Sequence, residues 1–460
     1  MATRPPGYFT IILVVDTTVA AGLARRIIGR LKAAGHQAYL VGGCVRDLLL
    51  GQEPQDYDVA TEARPEEVVC LFPEAQLVGA HFGVALVRDG GAEVQVATFR
   101  TDHAYSDGRR PEAVEFQTDP RQDVLRRDFT INGLLLDPES GEVLDYVGGR
   151  QDLEAGLVRA IGDPEARFQE DHLRMLRAVR FAARFGFEIE ERTWAAIRLL
   201  HASIRRISSE RIRDEIVRIL TEGSARRGFE LLDASGLLVE ILPEVAAMKG
   251  VEQPPEFHPE GDVWTHTLMM LNGMRSPTLT LALGVLLHDV GKPGTFRVAD
   301  RIRFDEHAET GAWMAARILT RLRFSGEVIR QVEALVVNHL RFKDVTRMRQ
   351  STLKRFLRAE RFEEHLELHR LDCVMSHGML ANYEFLKKKL EEVPKEELKP
   401  KPLLTGADLI AAGYTPGPPF GRILRALEDA QLEGQIHSRE EGLALLRARF
   451  LPPGGEESAA

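Results

Sequence analysis

Cysteine is scarce in this chain of 460 residues, which contains three, at positions 44, 70 and 373. They are far apart and form no CxxC pair, which excludes a disulfide scaffold and a cysteine-ligated zinc site. Long apolar runs are also missing near the start, where residues 11–15 are far too few to span a membrane. The start carries no convincing signal peptide. We therefore expect a cytoplasmic protein without a membrane partner.

Repeats of fixed period and low-complexity segments are absent as well. The composition is ordinary for a globular protein, with 44% hydrophobic and 28% charged residues, and the length predicts two to four domains. Helical and strand patterns alternate early in the chain, and a helical period follows, which predicts an α/β head and a mostly α-helical remainder. The predicted head elements are a helix at 16–35 capped by Asp16, Thr17 or Thr18, strands at 38–41, 57–60, 84–88 and 93–99, and a helix starting at 45–50.

Charge is distributed unevenly along the chain. The net charge is −9, which weighs mildly against a nucleic-acid binder. Residues 159–220 nevertheless contain thirteen arginines, no lysine and ten acidic residues, so that segment is net +3. Because affinity for phosphates depends on local patches, we expect nucleotide and RNA to bind there.

The strongest single feature is the segment Val41-Gly42-Gly43-Cys44-Val45-Arg46-Asp47, followed by Asp56-Tyr57-Asp58. Residues i and i+2 on a strand point to the same face about 6–7 Å apart, so Asp56 and Asp58 can share one or two magnesium ions. Such ions activate a 3′-hydroxyl and stabilise a leaving pyrophosphate. Gly42 and Gly43 let backbone amides approach a triphosphate, and Arg46 supplies a fixed cation.

With these residues the sequence resembles the superfamily of class II tRNA nucleotidyltransferases and bacterial poly(A) polymerases. Five motifs in family order carry the resemblance. They are Gly42-Gly43-x-x-Arg46-Asp47 with Asp56 and Asp58; Arg126-Arg127-Asp128-Phe129-Thr130-Ile131-Asn132-Gly133-Leu134; Asp145-Tyr146-Val147-Gly148-Gly149 with Asp152-Leu153; Glu170-Asp171-x-x-Arg174-x-x-Arg177-x-x-Arg180; and, more weakly, Ser209-Glu210-Arg211-Ile212-Arg213-Asp214-Glu215. The resemblance implies a polymerase-beta-like mixed sheet, catalysis by Asp56 and Asp58 with Mg²⁺, and nucleotide binding by Gly43 and Arg46.

The second motif of such enzymes lies beside the sugar of the nucleotide. The resemblance therefore implies that Asp128 contacts the ribose and that Arg127 contacts the nucleotide. Residues 98–101 and 107–111 resemble the flexible loop of enzymes able to add A, which favours CCA or A addition over addition of two cytidines alone. A solvated turn is the alternative interpretation of that loop.

The fourth motif predicts how a base is chosen. Residues three apart on a helix are neighbours, so Asp171, Arg174, Arg177 and Arg180 are expected to form a stripe about 13 Å long. Asp171 can accept from the amino group of adenine or cytosine, while Arg174 donates to the neighbouring ring nitrogen or to the O2 of cytosine. Guanine and uracil present the opposite order on that edge, so the pair can select A and C without a nucleic-acid template. Arg177 and Arg180 would continue toward base and phosphates.

A second set of residues resembles the ligands of HD-domain phosphohydrolases. His266, His288-Asp289 and Asp372 occur in the order of those ligands, and His307 and His339 could complete a two-metal site. Histidines and carboxylates suit a divalent transition metal.

The predicted domains are a nucleotidyltransferase head at 1–158, a helical neck for base recognition at 159–228, an HD-type domain at 229–393, and a helical tail at 394–460 that contacts RNA or packs against a domain, after a linker at 394–402.

The leading hypothesis is template-independent addition of CCA, or only of its terminal A, to the 3′ end of tRNA. The expected partners are the tRNA acceptor stem, ATP and CTP, with pyrophosphate released and no DNA involved. One alternative is a bacterial poly(A) polymerase, against which the lack of a basic tail argues. Another is an HD-domain phosphatase or phosphodiesterase with an RNA-binding head, against which the intact pair of Asp56 and Asp58 argues.

Overall fold

The computed structural model describes residues 18–78, 83–103, 113–256 and 258–450. Their strands are β1 (Ala38–Val41), β2 (Asp58–Thr61), β3 (Gln76–Leu77), β4 (Val84–Asp89), β5 (Ala92–Thr98), β6 (Arg100–His103), β7 (Ala113–Phe116), β8 (Leu134–Leu136), β9 (Val143–Asp145), β10 (Leu157–Val158), β11 (Glu188–Ile189), β12 (Phe296–Val298) and β13 (Ile302–Phe304). The α-helices before residue 247 are α1 (Val19–Ala33), α2 (Gly43–Leu49), α3 (Pro65–Leu71), α4 (Pro120–Leu125), α5 (Gly149–Ala155), α6 (Pro164–Glu170), α7 (Leu173–Phe185), α8 (Glu191–Leu200), α9 (Ser209–Thr221), α10 (Ala225–Ala234), α11 (Leu237–Ile241) and α12 (Pro243–Ala246).

The remaining helices all follow residue 247. They are α13 (Val263–Gly273), α14 (Leu279–Leu287), α15 (Lys292–Thr295), α16 (His307–Arg321), α17 (Gly326–Asn338), α18 (Gln350–Leu357), α19 (Phe362–Met375), α20 (Ala381–Glu392), α21 (Lys395–Leu398), α22 (Gly406–Ala411), α23 (Pro418–Leu432) and α24 (Arg439–Arg449). Short 3-10 helices span Thr130–Asn132, His201–Arg206 and His339–Arg347. The α/β head and helical remainder predicted from the sequence are thereby confirmed.

A seven-stranded mixed sheet forms the centre of the head, in the order β3-β4-β5-β2-β1-β8-β9. Strand β1 pairs with β2 in antiparallel register, Leu40 opposite Val59, so the end of β1 lies beside the start of β2. This pairing brings the Gly42-Gly43 turn next to the acidic pair, although sixteen positions separate Gly42 from Asp58 in the chain. Helix α1 covers the sheet with buried side chains, and its cap is Thr18, one of the three predicted candidates.

The predicted strand at 57–60 begins one residue late. Asp58 is the first residue of β2, and Asp56 lies in a bend before it, so only one of the two acidic residues is on a strand. Asp56 is nevertheless close enough to Asp58 for its charge to raise the pKa of Asp58. The predicted strands at 38–41, 84–88 and 93–99 are confirmed within one residue.

Two compact units divide between Ala246 and Ala247, so helices α10–α12 belong to the first unit. The sequence had placed a domain boundary at 228. Close packing explains the difference, because a Cβ on Gly228 of α10 would lie 2.4 Å from Ile219 of α9. Glu240 of α11 also pairs with His201 and Arg205.

The second unit is helical apart from the hairpin β12–β13. Helix α14 is apolar and buried on all sides, which places it at the centre of this unit. Leu398 of α21 packs into the cluster around Phe342 and Phe356, so the predicted linker at 394–402 is partly a core segment. Among the described residues, no helix combines the length and the apolar character needed to cross a membrane.

Candidate functional site

The acidic pair lies at the edge where β1 ends and β2 begins. Asp56 is exposed, and Asp58 is half-buried. Burial raises the pKa of Asp58, and the neighbouring charge of Asp56 raises it further, while Arg127 opposes the shift. Two crowded carboxylates of this kind are a suitable donor set for a divalent cation, because a cation relieves their mutual repulsion.

Glycine at position 42 permits a close approach beside this pair. Gly42 has a φ of 76° and precedes the first residue of α2, Gly43. A Cβ at Gly42 would lie 3.2 Å from Arg127 Nη1, and one at Gly43 would lie 3.5 Å from Arg46 Nη2. The glycine pair therefore lets two guanidinium groups lie against the turn.

Arg46 is buried and already bonded on two sides. Its Nε donates to Asp47 Oδ1 at 2.8 Å, and its Nη1 donates to Asn132 Oδ1 at 2.6 Å. The guanidinium also lies over the ring of Phe185, 4.7 Å from its centroid. Arg46 thus links α2 to the second motif, and its contact with a nucleotide stays a prediction.

A carboxylate that the sequence analysis missed organises the two arginines of the second motif. Asp123 on α4 is buried and binds Arg126 through Oδ1 at 2.6 Å and Arg127 through Oδ2 at 2.9 Å. Although burial disfavours the charged form, these two arginines lower the pKa of Asp123. Asp123 precedes Arg126 by three residues and Arg127 by four, a helical spacing from which both ion pairs could have been predicted.

Asp128 connects the head to the arginine helix α7. Its Oδ2 accepts from Arg177 Nε at 2.8 Å, and its Oδ1 accepts from Asn132 Nδ2 at 3.1 Å. Burial opposes ionisation of Asp128, but Arg177 and Asn132 lower its pKa to about 2. The second and fourth motifs therefore share one hydrogen-bond network, as their proposed common role at the nucleotide requires.

Asp171 is not part of the predicted helical stripe. It ends α6 in an extended conformation, and its Oδ1 accepts from Leu173 N at the start of α7. Its partner is Arg211 of α9, which donates from Nη1 to Oδ1 at 3.1 Å and from Nη2 to Oδ2 at 2.7 Å. The expectation of one continuous stripe from 171 to 180 is wrong because Asp171 ends α6 and precedes α7, which begins at Leu173.

The arginines of α7 are neutralised within the unit. Arg174 Nη1 donates to Glu170 Oε2 at 2.6 Å, and Arg180 Nε donates to the buried Glu215 Oε2 at 2.7 Å. Since Arg177 pairs with Asp128, each predicted arginine of the stripe has a carboxylate partner. The positive excess of residues 159–220 is therefore partly consumed by internal ion pairs.

The third motif shapes the backbone rather than the site. Asp145 accepts from the backbone amides of Val147, Gly149 and Arg150. A Cβ on Gly149 would lie 2.2 Å from Thr130 O, so only glycine fits beside the second motif. Thr98 ends β5, and Arg100 and Thr101 begin β6, so residues 98–101 of the predicted loop are mostly strand residues. Residues 107–111 lie outside the described residues.

The second unit gathers the predicted HD-type residues into two adjoining groups. His266, His288 and Asp372 form one group, and Asp289, His307 and His339 form the other, with the ligand atoms of each group within 4.8 Å of one another. The side chains of His266, His288 and Asp289 are buried. Lys292 Nζ also reaches Asp289 Oδ2 at 2.7 Å.

Hydrogen bonds fix which histidine nitrogens face this centre. Nδ1 of His288, His307 and His339 lies 2.9, 2.7 and 2.6 Å from the carbonyls of Val285, Phe304 and Val336, respectively. A carbonyl only accepts, so Nδ1 carries the proton and Nε2 presents a lone pair. His307 Nε2 and His339 Nε2 lie 3.3 Å apart. Two facing lone pairs repel unless a cation lies between them, so this donor set fits a metal.

Glu260 was missed by the sequence analysis and orients this centre. Its Oε1 lies 2.6 Å from His266 Nδ1 and 2.9 Å from His258 Nδ1. His266 Nε2 therefore faces Asp372 Oδ1, 3.2 Å away. A carboxylate behind a histidine is the usual outer support of a metal ligand. Burial opposes protonation of His266, but Asp372 and Glu260 raise its pKa to about 9.

Three known protein families match segments of this chain. Residues 38–159 match the "Poly A polymerase head domain", residues 186–249 match the "Probable RNA and SrmB- binding site of polymerase A", and residues 308–446 match the "tRNA nucleotidyltransferase domain 2". These matches agree with the sheet-containing head and the helical regions that follow it.

Similar proteins match between about half and nearly all of this chain. A CCA-adding enzyme of Leuconostoc mesenteroides is 32% identical over 422 residues, which are 91% of this chain and 94% of that enzyme. A CCA-adding enzyme of Lactobacillus helveticus is 41% identical over 254 residues, 54% of this chain and 63% of that relative's length. The crystal structure of the Bacillus stearothermophilus CCA-adding enzyme in complex with CTP is 26% identical, with a TM-score of 0.72 over 94% of this chain and 99% of that one. The chain therefore belongs to the family of CCA-adding enzymes and is a nucleotidyltransferase.

Proposed function

We propose that this protein adds CCA to the 3′ end of tRNA, taking CTP and ATP and releasing pyrophosphate. The observation that carries the proposal is the position of Asp56 and Asp58 beside Arg127, whose neighbour Asp128 is hydrogen-bonded to the arginine helix α7. The acidic residues proposed to bind metal and the groups proposed to select the base thus lie in one unit. The similar Bacillus enzyme was crystallised with CTP, which supports the choice of nucleotide.

Each residue would have a separate task in this reaction. Asp56 and Asp58 would hold Mg²⁺, which supplies positive charge to a triphosphate and lowers the pKa of a hydroxyl. Arg127 and Asp128 would bind the nucleotide and its ribose, with Gly43 and Arg46 at the adjoining turn. Asp171 and Arg174 would contact the base edge, and Arg177 and Arg180 would hold the surrounding network. The 3′-hydroxyl of the RNA would attack the α-phosphate directly, without a covalent enzyme intermediate.

Replacing the exposed acid tests the proposed metal ligands. Asp56→Ala should lower incorporation of labelled ATP and CTP into tRNA by more than about a hundredfold, because even outer partners of metal ligands cost 10–100-fold. Asp89→Ala is the matched control, since Asp89 is a surface acid paired with Arg26. Retained incorporation by a folded Asp56→Ala protein would refute the assignment.

The product distinguishes CCA addition from its rivals. Purified enzyme is incubated with tRNA lacking CCA, lacking CA or lacking A, and with each nucleoside triphosphate in turn. We expect two cytidines and one adenosine to be added in the order the end requires. If the enzyme adds only A, and only to the tRNA lacking A, its function is limited to the terminal step. A long ladder of products would indicate poly(A) synthesis.

A second candidate function belongs to the other unit, which we propose holds a divalent transition metal and acts as a phosphohydrolase. The facing Nε2 atoms of His307 and His339 support the proposal, with His266, His288, Asp289 and Asp372 as the further ligands. A bound metal would supply a Lewis acid for phosphate esters. His288→Ala should lower the metal content of dialysed protein, measured by mass spectrometry, while CCA addition stays unchanged. Equal metal content in the wild-type and His288→Ala proteins would exclude a metal site at these residues.

A further inference from the structure

Asp171 has fewer acceptor positions to offer than a free carboxylate. A carboxylate has about four lone-pair positions on its two oxygens. Leu173 N and Arg211 Nη1 both donate to Oδ1, and Arg211 Nη2 donates to Oδ2. Three positions are therefore occupied by described residues, and one remains on Oδ2. The side chains of Asp171 and Arg211 are 15% and 23% exposed, so this pair is not sealed from solvent.

Arg174 is restrained in a similar way. Nη1 donates to Glu170 Oε2 and to Arg167 O, and Nη2 donates to Arg126 O. Among the described residues, one N–H of Nη2 and the Nε–H have no hydrogen-bond acceptor. Beside the remaining acceptor position of Asp171, the start of α7 therefore offers guanidinium donors held in fixed orientations.

We propose that Arg211 is a specificity-determining residue that acts through Asp171, a role that rests on the proposed addition of C and A. Its two parallel N–H groups hold the carboxylate in one orientation and leave one acceptor position. A single acceptor beside fixed donors matches the amino group and ring nitrogen of cytosine and adenine. It does not match uracil or guanine, which present a carbonyl oxygen and a ring N–H.

Removal of Arg211 should loosen this selection. Asp171 would then be held only by Leu173 N, its carboxylate could rotate, and a second acceptor position would be available to the ring N–H of uracil or guanine. We expect Arg211→Gln to reduce the preference for CTP over UTP, and for ATP over GTP, by about tenfold or more, the range of one well-placed base contact. Arg211→Lys keeps the charge but not the parallel pair of N–H groups, so its preference should also fall, though by less.

The test measures kcat/KM for CTP, UTP, ATP and GTP on tRNA ends that accept one nucleotide. Arg218→Gln is the matched control, because Arg218 is a half-exposed arginine on the same helix that pairs with Glu222. A fall in the CTP:UTP and ATP:GTP ratios for Arg211→Gln, absent from the control, supports the proposal. Equal losses for all four nucleotides, or unchanged ratios, overturn it.

Two further variants make the test decisive. If Arg211→Gln does not fold, as judged by its thermal unfolding, Arg211→Lys carries the comparison with the same two outcomes. Asp171→Asn separates this inference from the proposed function. If Asp171→Asn changes nucleotide preference and the Arg211 variants do not, only the role of Arg211 is wrong. If neither changes it, base selection by Asp171 is wrong as well, and both are overturned.

Discussion

At the scale of single residues, carboxylates hold most of the arginines that the motifs contain. Asp123 binds two arginines of the second motif, Asp128 binds Arg177, and Glu215 binds Arg180. Such pairs keep guanidinium groups oriented before a ligand arrives, which lowers the cost of ordering them on binding. The site is therefore an ordered ionic network and not a loose patch of positive charge.

The buried pair of Arg180 and Glu215 gives a stability prediction. Both side chains are at most 5% exposed, so Glu215→Gln would leave a guanidinium buried without its counter-charge. We expect the free energy of opening of α7 and α9, measured by amide hydrogen exchange, to fall by about 3 kcal/mol or more.

Glu222→Gln is the control for that measurement. Glu222 is 32% exposed and lies 3.8 Å from Arg180, so its loss should cost no more than about 1 kcal/mol. An equal effect of the two variants would contradict the importance of the buried pair.

Some site residues could be predicted from sequence and others could not. The pattern of Asp56, Asp58 and the two glycines is local in the sequence. Its chemistry could therefore be predicted without knowledge of the fold. Asp123 also has a local signal, because it lies three and four residues before its arginines. Arg211 and Glu215 are 40 and 35 residues from their partners, so only the packing of α9 on α7 brings them together.

At the scale of elements, the break between α6 and α7 at Asp171 is where the predicted helix is wrong. The spacing of residues 171–180 is compatible with one helix, but Asp171 ends α6, accepts from Leu173 N and precedes α7. Short polar side chains compete with the helix in this way by bonding to nearby backbone amides. The predicted periodicity therefore holds for the arginines of α7 and fails at the acid before them.

Helix α19 of the second unit contains a histidine that should make this unit sensitive to acid. His365 is buried, and both ring nitrogens lack a hydrogen-bond partner among the described residues. Burial, with Arg341 nearby, lowers its pKa to about 4. The unfolded chain binds a proton below about pH 6.5 and the folded one only near pH 4, so stability is full at neutral pH and falls across that window.

His365→Phe tests this acid sensitivity. The wild-type free energy of unfolding should fall by up to about 1.4 kcal/mol more per pH unit between pH 6 and 4.5 than that of the variant, measured by chemical unfolding at each pH. His437→Gln, a change at an exposed histidine, should follow the wild type. Identical pH dependence of His365→Phe and wild type would refute the prediction.

At the scale of the whole molecule, the two proposed sites lie in separate compact units. The sequence located both sets of residues, because each has its own motif. The sequence predicts a domain boundary at 228, whereas the observed division follows Ala246, because α10 packs tightly on α9 through contacts such as Gly228 on Ile219. Net charge was also a weak guide, because many arginines are paired internally.

The proposed function requires that the first unit bind the triphosphate at Asp56 and Asp58 and the base edge at Asp171. A crystal structure of the chain with CTP and Mg²⁺ tests it most directly. We expect metal density between Asp56 and Asp58, the ribose beside Asp128, and the cytosine amino group at Asp171 Oδ2. A nucleotide bound elsewhere, with no metal at the acidic pair, would contradict the account.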